Sequence, residues 1–501
     1  MNMFGSKMFL MLSVLLAVML CFGVVSASDD IDGGAVLAVD ESASFDGEDI
    51  DVPDSADEDA VGGSGNESVR GAEIFHVSPD GRETGGEGDS AGDNVVDNVS
   101  FLDGEYNVAK PEGNVEIAGS GNAVLSSVNL DDEDSNSYPA VVASDSKASI
   151  CYVSPNGKGD GSQNNPTNWN AILTSYSNYD VLVFLSGTYY IDNQLTISKS
   201  NLMIRGSGNT VFDGKNKHRI LYVTAENVVV EDITFAHAYN TGWGGAVRWD
   251  GANGRLNDCN FIDNHMFRGD DGGISTAGAL YWTGVNGSVL NCNFINNSAK
   301  YGGSAYSCWG GAVRWTANGG IMSHCTFDGN HADSLTFVYG GALYWNGAGG
   351  KLIECSFSNN YADAGTYSYG GALRWNGADG MICGCNFTDN HAKAVAYVYG
   401  TAIYCEKSVE IDNCYFANNN ASSQGTIHWR NSNAIIKNSI FLNNTAGTHG
   451  GALYLFNVSS NIDNCMFEDN SANLTGGSIF LYGGTNVITN SNFTNSHAYY
   501  G

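Results

Sequence analysis

Apolar positions in the C-terminal half of the chain recur in two alternating phrases. The first reads Cys-x-Phe-x-x-Asn, and its Cys residues are Cys259, Cys292, Cys325, Cys355, Cys385, Cys414 and Cys465. The second reads Gly-Gly-Ala-aliphatic, and it begins at Gly244, Gly310, Gly340, Gly370 and Gly450. From Phe235 onward, successive Phe residues lie 26, 33, 33, 30, 30, 29, 25, 26 and 26 residues apart. A period of this size predicts stacked structural units rather than one globular core.

Each repeat from about residue 241 is predicted to contain three short strands. The first is residues 246–249, and its aliphatic position recurs as Val247, Leu280, Val313, Leu343 and Leu373. The second carries an aliphatic residue three positions before each Cys, and the third carries Cys and Phe two apart, which puts both on one side. Asn residues such as Asn291 and Asn413 lie between the second and third strands and suit a left-handed turn. About ten such coils predict an all-β, right-handed parallel β-helix.

Residues that recur once per coil are expected to stack over one another. We expect the Phe column to form the core, and Asn264, Asn297, Asn330 and their equivalents to hydrogen-bond backbone groups at a corner. The chain has 12 Cys residues, most of them at one position per repeat. Neighbouring thiols would lie about 4.8 Å apart, which does not ensure good disulfide geometry. We therefore favour buried free thiols that act as small apolar residues.

The N-terminal part of the chain divides into three segments before the repeats. Residues 8–25 are apolar and precede a small-residue site, so residues 1–27 are predicted to be a cleaved signal peptide; a membrane anchor is the alternative. Residues 28–150 contain 30 Asp and Glu against 4 Lys and Arg, and they read as a disordered acidic leader. Residues 151–240 are predicted to be the N-terminal cap and first coils, with a short helix from Trp169. The coils of residues 241–501 stop where the next repeat would start, so we expect a truncated product.

Net charge further restricts the partners. The formal charge is −32 at pH 7, which disfavours nucleic acid and anionic membrane as ligands. After cleavage of the signal peptide we expect no membrane insertion and an extracellular or cell-surface location.

The repeats carry a resemblance to known proteins. Phe-x-x-Asn alternating with Gly-Gly-Ala phrases resembles the repeats of chlamydial polymorphic outer-membrane proteins. The layout of apolar leader, acidic segment and the Tyr-Val-Ser-Pro-Asn-Gly phrase at Tyr152 is similar to that of adhesin-like surface proteins of methanogenic archaea. The resemblance covers about residues 150–501. It implies a pectin-lyase-like β-helix and a role in surface adhesion, and it implies no catalytic residues.

A polar and aromatic column follows each aliphatic position of the first strand. We call it the Arg/Tyr stripe, and its members are Arg248, Tyr281, Arg314, Tyr344, Arg374 and Tyr404. Strand alternation predicts that the stripe points outward, and we expect it to be exposed. Stacked rings and guanidinium groups form cation–π pairs and suit sugars or carboxylated glycans. The next residue is Trp in most coils, and we expect these Trp side chains inside or at a corner.

Repeats between residues 265 and 400 are longer than the others, just before the Gly-Gly-Ala phrase. The added residues are rich in aromatics and include Tyr339, Tyr369 and Tyr399. Insertions in a solenoid collect on one face, often the binding face. We predict that these Tyr residues and the stripe contact ligand; the alternative is that the added rings only cover the helix.

Three functions remain compatible with the sequence. The favoured one is a non-enzymatic adhesin that binds glycans or surface proteins of neighbouring cells, with no cofactor and no metal. A polysaccharide lyase or hydrolase is the second, because a β-helix also hosts such enzymes and Asp270 and Asp271 form a carboxylate pair in one insertion. A passive stalk is the third.

Overall fold

The computed structural model describes residues 148–268, 274–302 and 307–500. Within these ranges there is one α-helix, α1 (Trp169–Ser175), and one 3-10 helix (Tyr176–Asn178). Neither has the length needed to cross a bilayer. The predicted signal peptide, nearly all of the predicted leader, and Asp270 and Asp271 lie outside the described residues.

Strands make up the rest of the regular structure. In chain order they are β1 (Ile150–Val153), β2 (Val181–Tyr190), β3 (Leu195–Ile197), β4 (Met203–Asp213), β5 (Leu221–Val223), β6 (Val229–Glu231), β7 (Thr234–Ala236), β8 (Tyr239–Asn240), β9 (Val247–Trp249), β10 (Arg255–Asn257), β11 (Asn260–Ile262), β12 (His265–Arg268), β13 (Ser275–Thr276), β14 (Leu280–Trp282), β15 (Ser288–Leu290), β16 (Asn293–Ile295), β17 (Ser298–Tyr301), β18 (Cys308–Trp309), β19 (Val313–Trp315), β20 (Ile321–Ser323), β21 (Thr326–Asp328), β22 (His331–Ser334), β23 (Phe337–Tyr339), β24 (Leu343–Trp345) and β25 (Lys351–Ile353). The remaining strands are β26 (Ser356–Ser358), β27 (Tyr361–Ala364), β28 (Tyr367–Tyr369), β29 (Leu373–Trp375), β30 (Gly380–Cys383), β31 (Asn386–Thr388), β32 (His391–Ala394), β33 (Tyr397–Tyr399), β34 (Ile403–Cys405), β35 (Val409–Asp412), β36 (Tyr415–Ala417), β37 (Asn420–Ala421), β38 (Ile427–Arg430), β39 (Asn433–Lys437), β40 (Ile440–Leu442), β41 (Thr445–Ala446), β42 (Leu453–Phe456), β43 (Ser459–Asp463), β44 (Met466–Glu468), β45 (Ser471–Thr475), β46 (Ile479–Tyr482), β47 (Asn486–Thr489), β48 (Asn492–Thr494) and β49 (His497–Tyr500).

Parallel pairing of equivalent strands builds four sheets along one axis. Sheet A has 23 strands and contains the second and third strands of each repeat, such as β25 and β26. Sheet B has 11 strands and contains the first strand of each repeat, such as β24 and β29. Sheet C has 10 strands, including β22 and β27, and sheet D has the five strands β13, β18, β23, β28 and β33. The chain therefore forms the predicted right-handed parallel β-helix.

The prediction of three strands per coil is too low. Each coil from β9 onward has a fourth strand, in sheet C, and five coils have a fifth, in sheet D. Sheet C strands bury mainly small residues, such as Ala332 and Ser334 in β22 or Ala362 and Ala364 in β27. Small residues of this kind give too weak a hydrophobic alternation to be recognised along the chain.

Stacked aromatic rings fill the interior between sheets A and B. From Phe235 to Phe493 the rings of the Phe column lie 4.5–5.0 Å apart, as predicted for a core. Trp249, Trp282, Trp315, Trp345 and Trp375 form a second buried column with centroids 4.5–5.1 Å apart. Trp345 lies against Gly350, where an added Cβ would come within 2.3 Å of the indole nitrogen. Glycine at this corner is therefore required by the Trp column.

The N-terminal end of this interior is closed by α1. The side chain of Asn168 accepts a hydrogen bond from the amide of Ala171 at 3.1 Å and caps the helix. Trp169 packs against Phe184 and Phe212, with ring centroids 5.9 and 5.0 Å away. The short helix expected at Trp169 is thus present and covers the first coils.

A buried ladder of Asn side chains closes the corner between sheets A and C. Asn360 Oδ1 accepts from the backbone N–H of Asn330 at 3.0 Å and from its Nδ2 at 3.1 Å. Asn360 Nδ2 donates to the Phe327 carbonyl at 2.9 Å. Equivalent bonds link Asn264 to Asn470 without interruption. The ladder satisfies backbone groups that the corner leaves unpaired, as the sequence predicted.

The Cys column also hydrogen-bonds, which the sequence analysis did not foresee. All 11 described cysteines are free thiols, in agreement with the predicted thiol state. Cys355 Sγ accepts from the backbone N–H of Cys325 at 3.4 Å and donates to the Ile353 carbonyl at 3.3 Å. Ser439 occupies the same position in its coil, where it accepts from the N–H of Cys414 at 3.1 Å. The thiols therefore relay hydrogen bonds at a second corner and are more than apolar filling.

We expect Asn360→Ala to lower the free energy of unfolding by about 3 kcal/mol, because the Asn330 amide and the Phe327 carbonyl are then buried without partners. Chemical denaturation followed by circular dichroism measures this. Thr388→Ala, on the outer side of sheet A, is the control and should cost well under half as much. Equal losses in the two variants would contradict a structural role for the ladder.

The thiol relay predicts opposite outcomes for two small substitutions at Cys355. Cys355→Ser preserves donor and acceptor, as Ser439 does naturally, so we expect a stability near that of the wild type. Cys355→Ala leaves the Cys325 amide unpaired and should cost about 1–2 kcal/mol. If the Ala variant were the more stable of the two in a denaturant titration, the column would be purely apolar.

Candidate functional site

The Arg/Tyr stripe runs in register along the outer side of sheet B. Arg314 pairs with Tyr344 of the next coil, which pairs with Arg374, which pairs with Tyr404. The neighbouring Trp residues point the other way, into the core. Strand alternation therefore predicted the direction of the stripe correctly.

The prediction that the stripe is exposed is wrong. Tyr281, Tyr344 and Tyr404 retain at most 6% of their accessible surface, and the Arg side chains are half-buried. Rings that precede the Gly-Gly-Ala phrases cover them: Trp309 of sheet D lies 4.9 Å from the Tyr344 ring, and Tyr339 of sheet D lies 4.2 Å from the Arg374 guanidinium. The sequence could not show this, because the covering residues come from another part of each coil and meet the stripe only after the coil has closed.

The cover is a two-layered projection that we call the fin. It consists of sheet C strands β22, β27 and β32 and sheet D strands β23, β28 and β33, each pair joined by a short turn. Small apolar side chains such as Ala332, Val338, Ala362 and Val398 fill the space between the two layers. The inserted residues of the longer repeats therefore form a regular element with its own small core.

Sheet D presents two rows of aromatic rings on its outer side, which together form the aromatic wall. The inner row is Tyr339, Tyr369 and Tyr399, with centroids 5.0 and 5.2 Å apart. The outer row is Phe337, Tyr367 and Tyr397, with centroids 5.7 and 6.3 Å apart. The inner row is half-buried, and Tyr397 in the outer row is 48% exposed. The rings of the wall are therefore more accessible than the buried Tyr rings of the stripe.

Inner-row rings lie directly over the stripe. Arg374 lies 4.2 Å from the Tyr339 ring centroid and 5.2 Å from that of Tyr369, and it is flanked by Tyr344 and Tyr404 at 5.8 and 5.3 Å. A cation surrounded by rings in this way is stabilised by cation–π attraction. The sequence analysis gave ligand contact and covering of the helix as alternatives for the inner-row Tyr residues. In the structure these rings cover the stripe and also border open surface, so the two roles are compatible.

Carboxylates complete the stripe at two of its Arg residues. Arg374 Nη2 donates to Glu406 at 3.0 Å, and the Tyr404 hydroxyl donates to the same carboxylate at 2.6 Å. Burial and then the charge of Glu406 raise the pKa of Tyr404 well above its usual range, so the hydroxyl stays protonated. Arg248 pairs with Asp250 at 2.9 Å. These carboxylates offset the cost of removing the guanidinium groups from water.

A third set of side chains was missed by the sequence analysis. Two residues after each stripe position, on the same side of sheet B, lies a partly exposed polar side chain. This polar row consists of Asp250, Thr283, Thr316, Asn346, Asn376 and Glu406. Asn376 Nδ2 donates to Asn346 Oδ1 at 2.7 Å. Period-2 alternation from the stripe was the signal that could have identified the row.

The aromatic wall and the polar row lie on either side of the covered stripe, and we call the lengthwise strip of surface that they border the groove. Its rings can stack on flat apolar surfaces, and its amides and hydroxyls can exchange hydrogen bonds, at every coil. In the described ranges no group of three or more His, Cys, Asp or Glu side chains is arranged to hold a metal ion.

Comparisons with known proteins give one family model over part of the chain and several remote structural similarities. A family model described as "Right handed beta helix region" matches residues 341–501, and no curated protein sequence matches the chain. Similar solved structures include a rhamnogalacturonan lyase (15% identity, TM-score 0.37, covering 63% of this chain and 87% of that one). Another is the catalytic domain of a GH87 alpha-1,3-glucanase in complex with nigerose (14%, 0.38, 72% and 68%). A third is PfbA, a surface adhesin of Streptococcus pneumoniae (12%, 0.27, 65% and 87%). Similarities this low assign no activity.

Truncating a side chain of the stripe should lower the stability of the protein more than truncating an outer-row ring of the wall. Arg374→Ala leaves Glu406 and Tyr404 without their cation, and we expect a loss of about 2 kcal/mol after discounting for the partial exposure of Glu406. Tyr397→Ala removes an exposed ring and should change stability by less than about 0.5 kcal/mol. Thermal and urea unfolding of the two variants test this. A larger loss of stability in Tyr397→Ala would refute the assignment of the stripe as buried and of the outer row as exposed.

Proposed function

We propose that this protein is an exported surface adhesin that binds glycan chains lengthwise in the groove, without cleaving them. The observation that carries the proposal is the pairing of two aligned rows of accessible rings with a parallel row of amides, hydroxyls and carboxylates. Sugar rings offer an apolar face and a polar rim, and binding sites that combine aromatic side chains with a few placed polar groups suit such ligands.

The repeat of the coils supports a polymer as the ligand. Tyr339, Tyr369 and Tyr399 recur at successive coils with nearly parallel planes, 17° and 23° apart. Equivalent contacts therefore recur about every 4.8 Å along the axis. A chain of similar units can make the same contact several times, so weak contacts add into useful affinity.

Ligand contact is assigned to the aromatic wall and polar row rather than to the whole stripe. The buried rings of Tyr281, Tyr344 and Tyr404 offer little surface to a ligand, and we propose that they support the wall. The half-buried Arg residues and the inner-row Tyr residues remain proposed contacts. Cell-surface placement rests on the predicted signal peptide, and contact with neighbouring cells through their glycans follows from it.

The first test is retention of the full-length protein on an array of glycans and cell-wall polysaccharides. We expect selective retention that falls at least about tenfold when Tyr367 and Tyr397 are both changed to Ala, since truncating an aromatic anchor of a binding surface costs more than about 1 kcal/mol and about 1.4 kcal/mol is tenfold in affinity. Tyr190→Ala, which removes a 63% exposed ring away from the groove, is the matched control and should not change retention.

Two outcomes would overturn parts of the proposal. No retention of the folded protein on any glycan would refute glycan binding and favour a protein receptor or a passive stalk. Shortening of a retained polysaccharide, abolished by Asp270→Asn with Asp271→Asn, would refute the non-catalytic assignment and favour the lyase or hydrolase alternative.

A further inference from the structure

Arg314 differs from the other two guanidinium groups of the stripe. Arg248 pairs with Asp250 at 2.9 Å, and Arg374 pairs with Glu406 at 3.0 Å. Across the described ranges, no carboxylate lies within ion-pair distance of Arg314. The Nε atoms of Arg314 and Arg374 are both buried without a hydrogen-bond partner, so the missing carboxylate is what distinguishes Arg314. Arg314 is therefore a half-buried cation that no acidic group of the described protein neutralises.

The sequence explains this difference position by position. The partner of Arg248 lies two residues further along its own strand, and the equivalent residue for Arg314 is Thr316. The partner of Arg374 lies in the polar row of the next coil, and the equivalent residue for Arg314 is Asn346. Both places that supply a carboxylate elsewhere hold neutral side chains here, in a chain whose net charge is −32.

Aromatic rings surround Arg314 without neutralising it. The centre of its guanidinium lies 4.3 Å from the Trp309 ring, 5.5 Å from Tyr281 and 5.7 Å from Tyr344. Cation–π attraction offsets only part of the cost of partly removing a charge from water. An anion that enters the groove would complete the environment that Asp250 and Glu406 provide for the other two Arg residues.

We propose that Arg314 binds the carboxylate of an acidic sugar unit, so that the glycan of the proposed function is a polyanion. This inference rests on the proposed glycan binding and narrows its ligand. The planar guanidinium matches a carboxylate geometrically and can donate two parallel hydrogen bonds to it. Thr316 and Asn346 flank the site and can donate to or accept from the hydroxyls of the same unit.

A second basic site lies toward the N-terminal end of the stripe. A cavity of ≈ 260 Å³ is lined by Lys217, His218 and Arg219 together with Gln194 and Tyr239. The Arg219 guanidinium is 5.3 Å from the ring of Tyr222, and Tyr222 precedes Arg248 in the same column. Three coil steps, about 14 Å, separate Tyr222 from Arg314. An acidic polymer in the groove would therefore meet two separated cationic sites.

The test compares an acidic oligosaccharide with its carboxyl-reduced neutral counterpart, using calorimetry on the full-length protein. We expect tighter binding of the acidic form, weakened by added salt. Arg314→Met should reduce acidic binding at least about tenfold, as expected for a charged hydrogen-bond pair, and leave neutral binding unchanged. Arg314→Lys should retain part of the preference. Arg255→Met, on sheet A, is the matched control and should behave like the wild type.

Stability provides a readout independent of ligand. Because no acidic residue in the described ranges pairs with Arg314, Arg314→Met should leave the thermal midpoint unchanged or raise it, whereas Arg374→Met should lower it. Equal binding of acidic and neutral glycans, unaffected by Arg314→Met, would overturn this inference and leave the proposed function standing. Preference for a sulfated over a carboxylated glycan would overturn the choice of carboxylate. Binding of neither glycan by the folded protein would overturn both proposals.

Discussion

The β-helix of the described residues depends on the in-register stacking of its coils, which places each residue about 4.8 Å from the equivalent residue of the next coil. Stacking stabilises the structure only where a residue pairs well with its own kind or with a complementary neighbour. Phe and Trp rings satisfy this by lying parallel. Asn side chains satisfy it because each donates to the Asn of one neighbouring coil and accepts from the Asn of the other, as Asn360 donates to Asn390 and accepts from Asn330. The repeating phrases of the sequence consist of residues with this property.

The same constraint explains why Arg and Tyr alternate in the stripe. Guanidinium groups in adjacent coils would repel one another across one strand spacing. A Tyr between Arg314 and Arg374 doubles their separation and gives each a ring face, with centroids 5.7 and 5.8 Å away. Carboxylates then neutralise Arg248 and Arg374. Arg314 follows the alternation with no carboxylate from the described residues beside it, and for this reason its environment points to an external anion.

Longer repeats turn a stacked surface into a groove. The fin adds a second layer beside the stripe and carries the aromatic wall, whose inner-row rings lie over the stripe. The fin has its own core of Ala and Val side chains, so the wall is supported by packing and does not depend on a ligand for its position. The candidate site residues therefore recur once per coil and stack in register with their equivalents in neighbouring coils.

Residue pattern alone determined the β-helix, the core columns, the Asn corner and the outward direction of the Arg/Tyr stripe, because each depends on local alternation and on a repeat that stacks like on like. Tertiary structure alone decided that Tyr344 and Tyr404 are buried, that Cys355 relays a hydrogen bond and that Arg374 pairs with Glu406 of the next coil. These outcomes depend on which residues of different strands and coils approach one another after the chain has closed. A one-dimensional pattern specifies which side a residue faces, but it does not specify what covers that side.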